Sequence, residues 1–215
     1  MIIAPSLLAA DFLQLESELS KINSSDAGFL HLDVMDGTFV PNISFGFPIL
    51  EACAKACNKP LDVHLMTVHP ERWFERLAGL GASMVSFHQE AARGATAAHI
   101  DSIHALGMKA GVVINPDVPV KRLYPYIGKA DFFLIMSVFA GFGGQKFIPG
   151  SLERAALLKS FAGSSALIEM DGGIGLSNIK AVAASGVDIA VAGSSVFGAQ
   201  DPAPAVAELL AEAGR

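Results

Sequence analysis

The sequence is short of thiols, of charge and of long apolar runs, and each shortage excludes something. Its 215 residues include two cysteines, Cys53 and Cys57, four positions apart on one expected helix. Two thiols make no disulfide framework, and nothing beside them reads as a metal ligand, so free thiols in a cytoplasmic protein are the expectation. Charged residues are 17% of the chain, contain no basic run and leave a net charge of −6 with a pI near 5.4. That balance argues against nucleic acid or an anionic membrane as partner. It leaves room for a small anionic substrate, because a nest of backbone N–H groups binds phosphate within an acidic protein. No apolar stretch approaches the roughly 20 residues of a membrane span. The opening MIIAPSLLAADF lacks a basic region and reaches Asp11 early, unlike a signal peptide. No G-x-G-x-x-G follows the first apolar run, which removes the usual fingerprint of a doubly wound dinucleotide fold. There is no tandem repeat, low-complexity segment or linker.

What is present is apolar and alternating. The hydrophobic fraction is 52% and the mean hydropathy +0.46, as suits parallel strands buried on both faces. Strands are expected over 2–6, 28–34, 61–66, 84–88, 109–114, 132–138, 166–171 and 189–193. Helical patterns fall over 12–22, 49–57, 70–79, 95–106, 152–161, 177–185 and 202–213. Repeated strand–helix units imply right-handed crossovers and a parallel sheet. Eight of them in 215 residues predict a compact (β/α)8 TIM barrel, one catalytic domain over 1–215. An open doubly wound sheet is the alternative.

Four residues of metal-ligand type sit at strand ends: His31 and Asp33 in GFLHLDVMDG, His64 in PLDVHLM, and Asp171 in ALIEMDGG. Side chains alternate along a strand, so His31 and Asp33 share a face and Leu32 and Val34 the other. The same parity groups Asp62, His64 and Met66, and also Leu167, Glu169 and Asp171. Two imidazoles and two carboxylates form an N2O2 set suited to one divalent first-row ion. The competing reading is four unrelated polar strand ends; their common register at one barrel mouth argues for one site. Asp62 and Glu169, buried on the same inner faces, are expected either to orient the ligating imidazoles or to pair with a lysine or arginine inside the barrel. His88, on the inner face of its strand with Ser86, reads as a hydrogen-bonded structural histidine near the site. His69, His99 and His104 are expected at the surface.

Glycines form the second constellation. Gly141-Phe142-Gly143-Gly144 follows the sixth strand, Gly172-Gly173 the seventh, and Gly193-Ser194 the eighth. Glycine lets backbone approach a ligand closely, and loops after strands seven and eight of a barrel often hold phosphate. A substrate bound by phosphate at one end and metal at the other follows. Met35, Met66 and Met136 fall near strand mouths, where they can line the substrate or simply fill core. The connection 39–46 is apolar enough to be a lid or a subunit contact.

The stretches APSLLAADF, HLDVMDGTFVPN, PLDVHLM, GVVINP, MSVFAGFGGQKF, EMDGGI and VAGSSVFG together resemble the ribulose-phosphate 3-epimerase family, in family order over nearly the whole chain. The resemblance implies a TIM barrel, one catalytic divalent ion (Zn, Fe(II), Mn or Co) and C3 epimerisation of D-ribulose 5-phosphate and D-xylulose 5-phosphate, a step of the pentose phosphate pathway. By position, it implies His31, Asp33, His64 and Asp171 as ligands and Asp33 and Asp171 as the acid–base pair acting through a cis-enediolate. It further implies Ser6 as a substrate contact and Gly141 to Gly144 with Gly193 and Ser194 as phosphate loops. A phosphosugar is then the partner, in a homo-oligomeric cytoplasmic enzyme. Phe139-Ala140 departs from the family pattern, which has Asn or Glu and then Pro before GFGGQ. The sister family acting on D-allulose 6-phosphate is the nearest alternative. An enediolate-forming lyase would want a lysine at a strand end, but Lys109 starts a strand and Lys146 lies beyond the glycine loop. A non-catalytic phosphate-binding barrel would have no use for paired aspartates.

Overall fold

The computed structural model describes residues 1–214; Arg215, the last position of the expected domain, lies outside the described residues. Eight parallel strands run in the order β1-β8-β7-β6-β5-β4-β3-β2. They are β1 Ile2–Pro5, β2 Leu30–Met35, β3 Leu61–Met66, β4 Met84–His88, β5 Lys109–Ile114, β6 Phe132–Met136, β7 Leu167–Asp171 and β8 Ile189–Ala192. The seam between β1 and β2 is drawn together by a Ser6–His31 bridge and a hydrogen bond from Gly28 N to Ile3 O (3.0 Å), giving a nearly closed (β/α)8 barrel.

Strand parity sorts the side chains as alternation requires. Leu32, Val63, Leu65, Val85, Phe87, Val112, Phe133, Ile135, Ile168 and Met170 face outward and join the helices in one core. The barrel floor is filled from inside by Ala4, Met84, Phe132, Ile189 and Val191. Gly111 belongs to this packing: a Cβ there would lie 2.2 Å from Cζ of Phe132, so the missing side chain makes room for the ring. Above the floor the inner residues turn polar, with His31, Asp62, His64, Ser86 and Glu169 fully buried.

The helices are α1 Leu15–Ser24, α2 Phe47–Ala56, α3 Phe74–Gly79, α4 Thr96–Ala105, α5 Gly150–Ala162, α6 Ile179–Ala184, α7 Ser194–Phe197 and α8 Pro202–Glu212. Two expected helices are broken. In 12–22, Phe12–Gln14 is a 3-10 turn and Gln14 leaves the helical region (φ −129, ψ 31) before α1 starts. In 70–79, Pro70–Arg72 is a 3-10 turn and Trp73 N bonds Pro70 O, three residues back, so α3 begins only at Phe74. Four residues are too few to show a helical period, so α7 leaves no signal in the pattern. Between β5 and β6 there is no α-helix; the 3-10 turns Val120–Arg122 and Tyr124–Tyr126 cover the barrel there, with Leu123 buried between them. Cys53 is buried in α2, Cys57 follows its end, and both are free thiols. Among the described residues no helix is long and apolar enough to cross a membrane.

Candidate active site

The strand ends converge at one mouth. Ser6, Asp33, Met35, Met66, Met136, Asp171, Gly172, Gly173, Gly193 and Ser194 line a single cavity with the loop Gly141–Gly144. His31 and His64 lie buried just beneath it. One ligand atom from each of His31, Asp33, His64 and Asp171 falls within 4.8 Å of the others. The arrangement follows from parallel register, which pairs Asp33 with His64 and Ser6 with His31 across neighbouring strands.

Asp33 is the hub. Its Oδ2 accepts from Ser6 Oγ at 2.6 Å, while Oδ1 faces His64 Nδ1 at 3.1 Å and His31 Nε2 at 3.4 Å. Burial opposes its ionisation, but the nearby charge of His31 and the contact with His64 outweigh that and hold the carboxyl well below the usual range. For Asp171 burial, and then the negative charge of Asp33, outweigh the charge of His31 and raise it to about 7. Two carboxyl groups in one cavity are thereby pushed toward opposite protonation states. For His64 burial is the largest influence and lowers it to about 4, against the bond to Asp33. For His31 burial acts in the same direction, but Asp62 and Asp33 override it and hold the imidazole well above its ordinary value.

Asp62 Oδ2 meets His31 Nδ1 at 2.6 Å, and Glu169 Oε1 lies 3.7 Å from the same nitrogen. Of the two expectations for this buried pair, orientation of the imidazole is the one found; no lysine or arginine is paired with either carboxylate among the described residues. Burial, and after it Asp62, raise Glu169 well above the carboxylate range. With Nδ1 engaged by Asp62, His31 Nε2 is left buried without a hydrogen-bond partner, facing Asp33. A buried, unsatisfied nitrogen at the centre of an N2O2 set is what a cation site requires.

A profile described as the ribulose-phosphate 3 epimerase family matches residues 2–197. The ribulose-phosphate 3-epimerase of Mycobacterium tuberculosis is 43% identical over 216 residues, covering 99% of this chain and 93% of that one. The chain belongs to the ribulose-phosphate 3-epimerase family. A second relative, the cytoplasmic isoform of ribulose-phosphate 3-epimerase from rice (Oryza sativa), is 41% identical over 96% of this chain and 92% of its own. Among solved structures, a 3-hexulose-6-phosphate synthase superposes with a TM-score of 0.73 at 20% identity, covering 99% of each chain, which shows the shared barrel and no more.

Several residues of this epimerase-family site escape sequence reasoning. Asp36 organises the connection after β2: Oδ1 accepts from the N–H groups of Thr38 and Phe39, and Oδ2 from Val68 N, each at 2.8 Å. Ser44 Oγ accepts from Met35 N at 3.0 Å and donates to the carbonyl of Asp33. Asn42 Nδ2 donates to Gly141 O at 2.8 Å, tying 39–46 to the glycine loop. The MDG turn was the available signal for Asp36, since Asp before Gly favours such turns; Ser44 left none. Val40 packs against Met35 and Met66, which line the cavity. His88, expected as a hydrogen-bonded neighbour, contacts His64 directly, Nε2 to Nε2 at 2.9 Å. His99, expected at the surface, is only partly exposed: its ring packs edge-on against Phe74 and Phe87, at 5.6 and 5.2 Å. Phe139 and Phe142 stand half-exposed at the rim. No lysine or arginine lines the cavity among the described residues, and Lys109 is exposed at the start of β5, so the lyase alternative lacks its amine.

Proposed function

We propose that this protein interconverts D-ribulose 5-phosphate and D-xylulose 5-phosphate by inversion at C3, within one catalytic domain over 1–215 and with one divalent ion held by His31, Asp33, His64 and Asp171. The observation that carries the reading is the pair Asp33 and Asp171, brought to one cavity and driven to opposite protonation states. Removing a weakly acidic proton beside a carbonyl and returning it to the other face needs one ionised and one protonated group. Asp33 and Asp171 meet that need, and each takes the other role when the reaction runs backwards. A divalent ion held by His31, Asp33, His64 and Asp171 would supply positive charge to stabilise the negative charge that develops between the two proton transfers. Ser6, through its bond to Asp33, fixes the orientation of that carboxylate. Met35, Met66 and Met136 present polarizable, apolar surface that excludes water from the reacting carbon.

The phosphate is assigned to the rim formed by Gly141–Gly144, Gly172, Gly173, Gly193 and Ser194, with Phe142 beside it. Support comes from their shared lining of the cavity and from the absence of a basic side chain there among the described residues, which leaves backbone N–H groups and the Ser194 hydroxyl as donors. Gly173 has φ +63 and its Cα approaches Phe147 N so closely that a Cβ would lie 2.7 Å from it, a close backbone packing that a side chain would break. Metal analysis of the purified protein, together with a C3 epimerisation assay on D-ribulose 5-phosphate, tests the whole reading.

A further inference from the structure

We propose that His88 and Glu90 are positioning residues that set the tautomer of His64, so that its Nδ1 presents a lone pair to the ion site. The inference rests on the metal-site reading above. His64 and His88 are buried, their rings stack at 5.0 Å and 27°, and their Nε2 atoms lie 2.9 Å apart. Two ring nitrogens at that distance share one proton, one donating and the other accepting. His64 Nδ1 is the nitrogen that faces Asp33, at 3.1 Å. To ligate, Nδ1 must be bare, so the ring proton of His64 sits on Nε2 and is donated to His88. His88 then carries its own proton on Nδ1.

Two groups face that nitrogen: Glu90 Oε1 at 3.6 Å and Asn115 Nδ2 at 3.5 Å. Only the carboxylate can accept. Its distance is longer than a formed hydrogen bond, yet Glu90 is held beside the ring because Asn115 N and Nδ2 both donate to Oε1 at 3.1 Å. Phe39 covers the other side of His88, with centroids 4.6 Å apart. The opposite arrangement also closes: Asn115 donates to His88 Nδ1, His88 to His64, and His64 Nδ1 to Asp33. Each arrangement places one proton on each ring, so the two differ in position and not in charge. Asn115 supports the second, and Glu90 the first, which is the one that frees His64 for a cation. Alternation along β4 puts Ser86 and His88 on its inner face, and Glu90 follows in the turn after the strand.

The test is zinc affinity, measured by competition with a chromophoric chelator, in the parent, His88→Leu, His88→Gln and Glu90→Gln, with 15N NMR of the zinc-loaded parent to read the His64 tautomer. We expect His88→Leu to weaken zinc by roughly 10–100-fold, the usual cost of losing a partner of a metal-bound histidine. His88→Gln, whose amide oxygen can accept from Nε2–H, recovers most of it, Glu90→Gln falls between, and His64 is protonated at Nε2. Equal affinity for parent and His88→Leu, equal loss in His88→Leu and His88→Gln, or a His64 proton on Nδ1 in the zinc form overturns the inference. If His88→Leu does not fold, Glu90→Gln and the parent spectrum decide. A parent that binds no zinc overturns the metal-site reading and this inference together, whereas a zinc-binding parent with an indifferent His88→Leu removes only the latter.

Discussion

Replacing Asp171 by Asn removes the proposed proton carrier while keeping size, shape and one oxygen. In the parent, burial and the neighbouring Asp33 charge set Asp171 near 7, poised to exchange a proton at neutral pH, whereas Asp33 is held ionised by Ser6, His31 and His64. An amide cannot take that part. The expected loss is that of a general acid–base group, roughly 10²–10⁴-fold in kcat, or about 2.7–5.5 kcal/mol of barrier. Asp33→Asn should cost at least as much, since it also removes the charge that polarises Asp171. Both residues are proposed ligands, so ion occupancy is verified before kinetics, and rates are measured in deuterated solvent from each epimer separately. A surviving single base would exchange the C3 proton of one epimer without inverting it. Epimerisation near the parent rate by either ion-loaded variant refutes the two-carboxylate reasoning.

Gly144 has φ +70 with open space where a Cβ would go, so Gly144→Val strains the rim loop and crowds the phosphate without touching the ligands; KM should rise while zinc affinity holds, and an unchanged KM in the folded variant places the phosphate elsewhere. Gly111→Ala drives a methyl into the Phe132 ring and should cost about 1–3 kcal/mol, read as a Tm several degrees lower and partly restored by Phe132→Leu; an unchanged Tm contradicts the floor packing. In chelator-treated protein the folded pKa of Asp171, about 7, exceeds its ordinary 3.8, so the folded state holds the extra proton between those values. Its contribution to stability is present below pH 3.8 and lost as pH rises through 7, so Asp171→Asn should gain on the parent in Tm from pH 5 to 8; a constant difference refutes the shift.

The barrel and the cluster of His31, Asp33, His64 and Asp171 were legible because both are written in strand periodicity. His31–Asp33, Asp62–His64 and Glu169–Asp171 repeat the same two-residue step, which puts each pair on the inner face of its strand, and the parallel register sets His31 beside Asp62 and Asp33 beside His64. Glycine runs mark the rim because no other residue tolerates φ values such as that of Gly172, +123. What stayed hidden depends on distance and not on period. Strand parity could not choose between Asp62 orienting His31 and a salt bridge within the barrel, a matter of one 2.6 Å contact. Ser44 and Asn42 act through single hydrogen bonds from an irregular connection, which carries no repeat to read. The breaks at Gln14 and Trp73 are local backbone choices beneath an intact apolar pattern.

The most direct measurement is the conversion of D-ribulose 5-phosphate in deuterated solvent by the protein stripped of metal and by the same sample reloaded with zinc, iron(II), manganese or cobalt, followed at C3 by NMR. The account predicts no conversion in the stripped sample and, on reloading with at least one of these ions, D-xylulose 5-phosphate carrying deuterium at C3. Full activity in a verified metal-free sample, or no C3 inversion in any ion-loaded one, would contradict it.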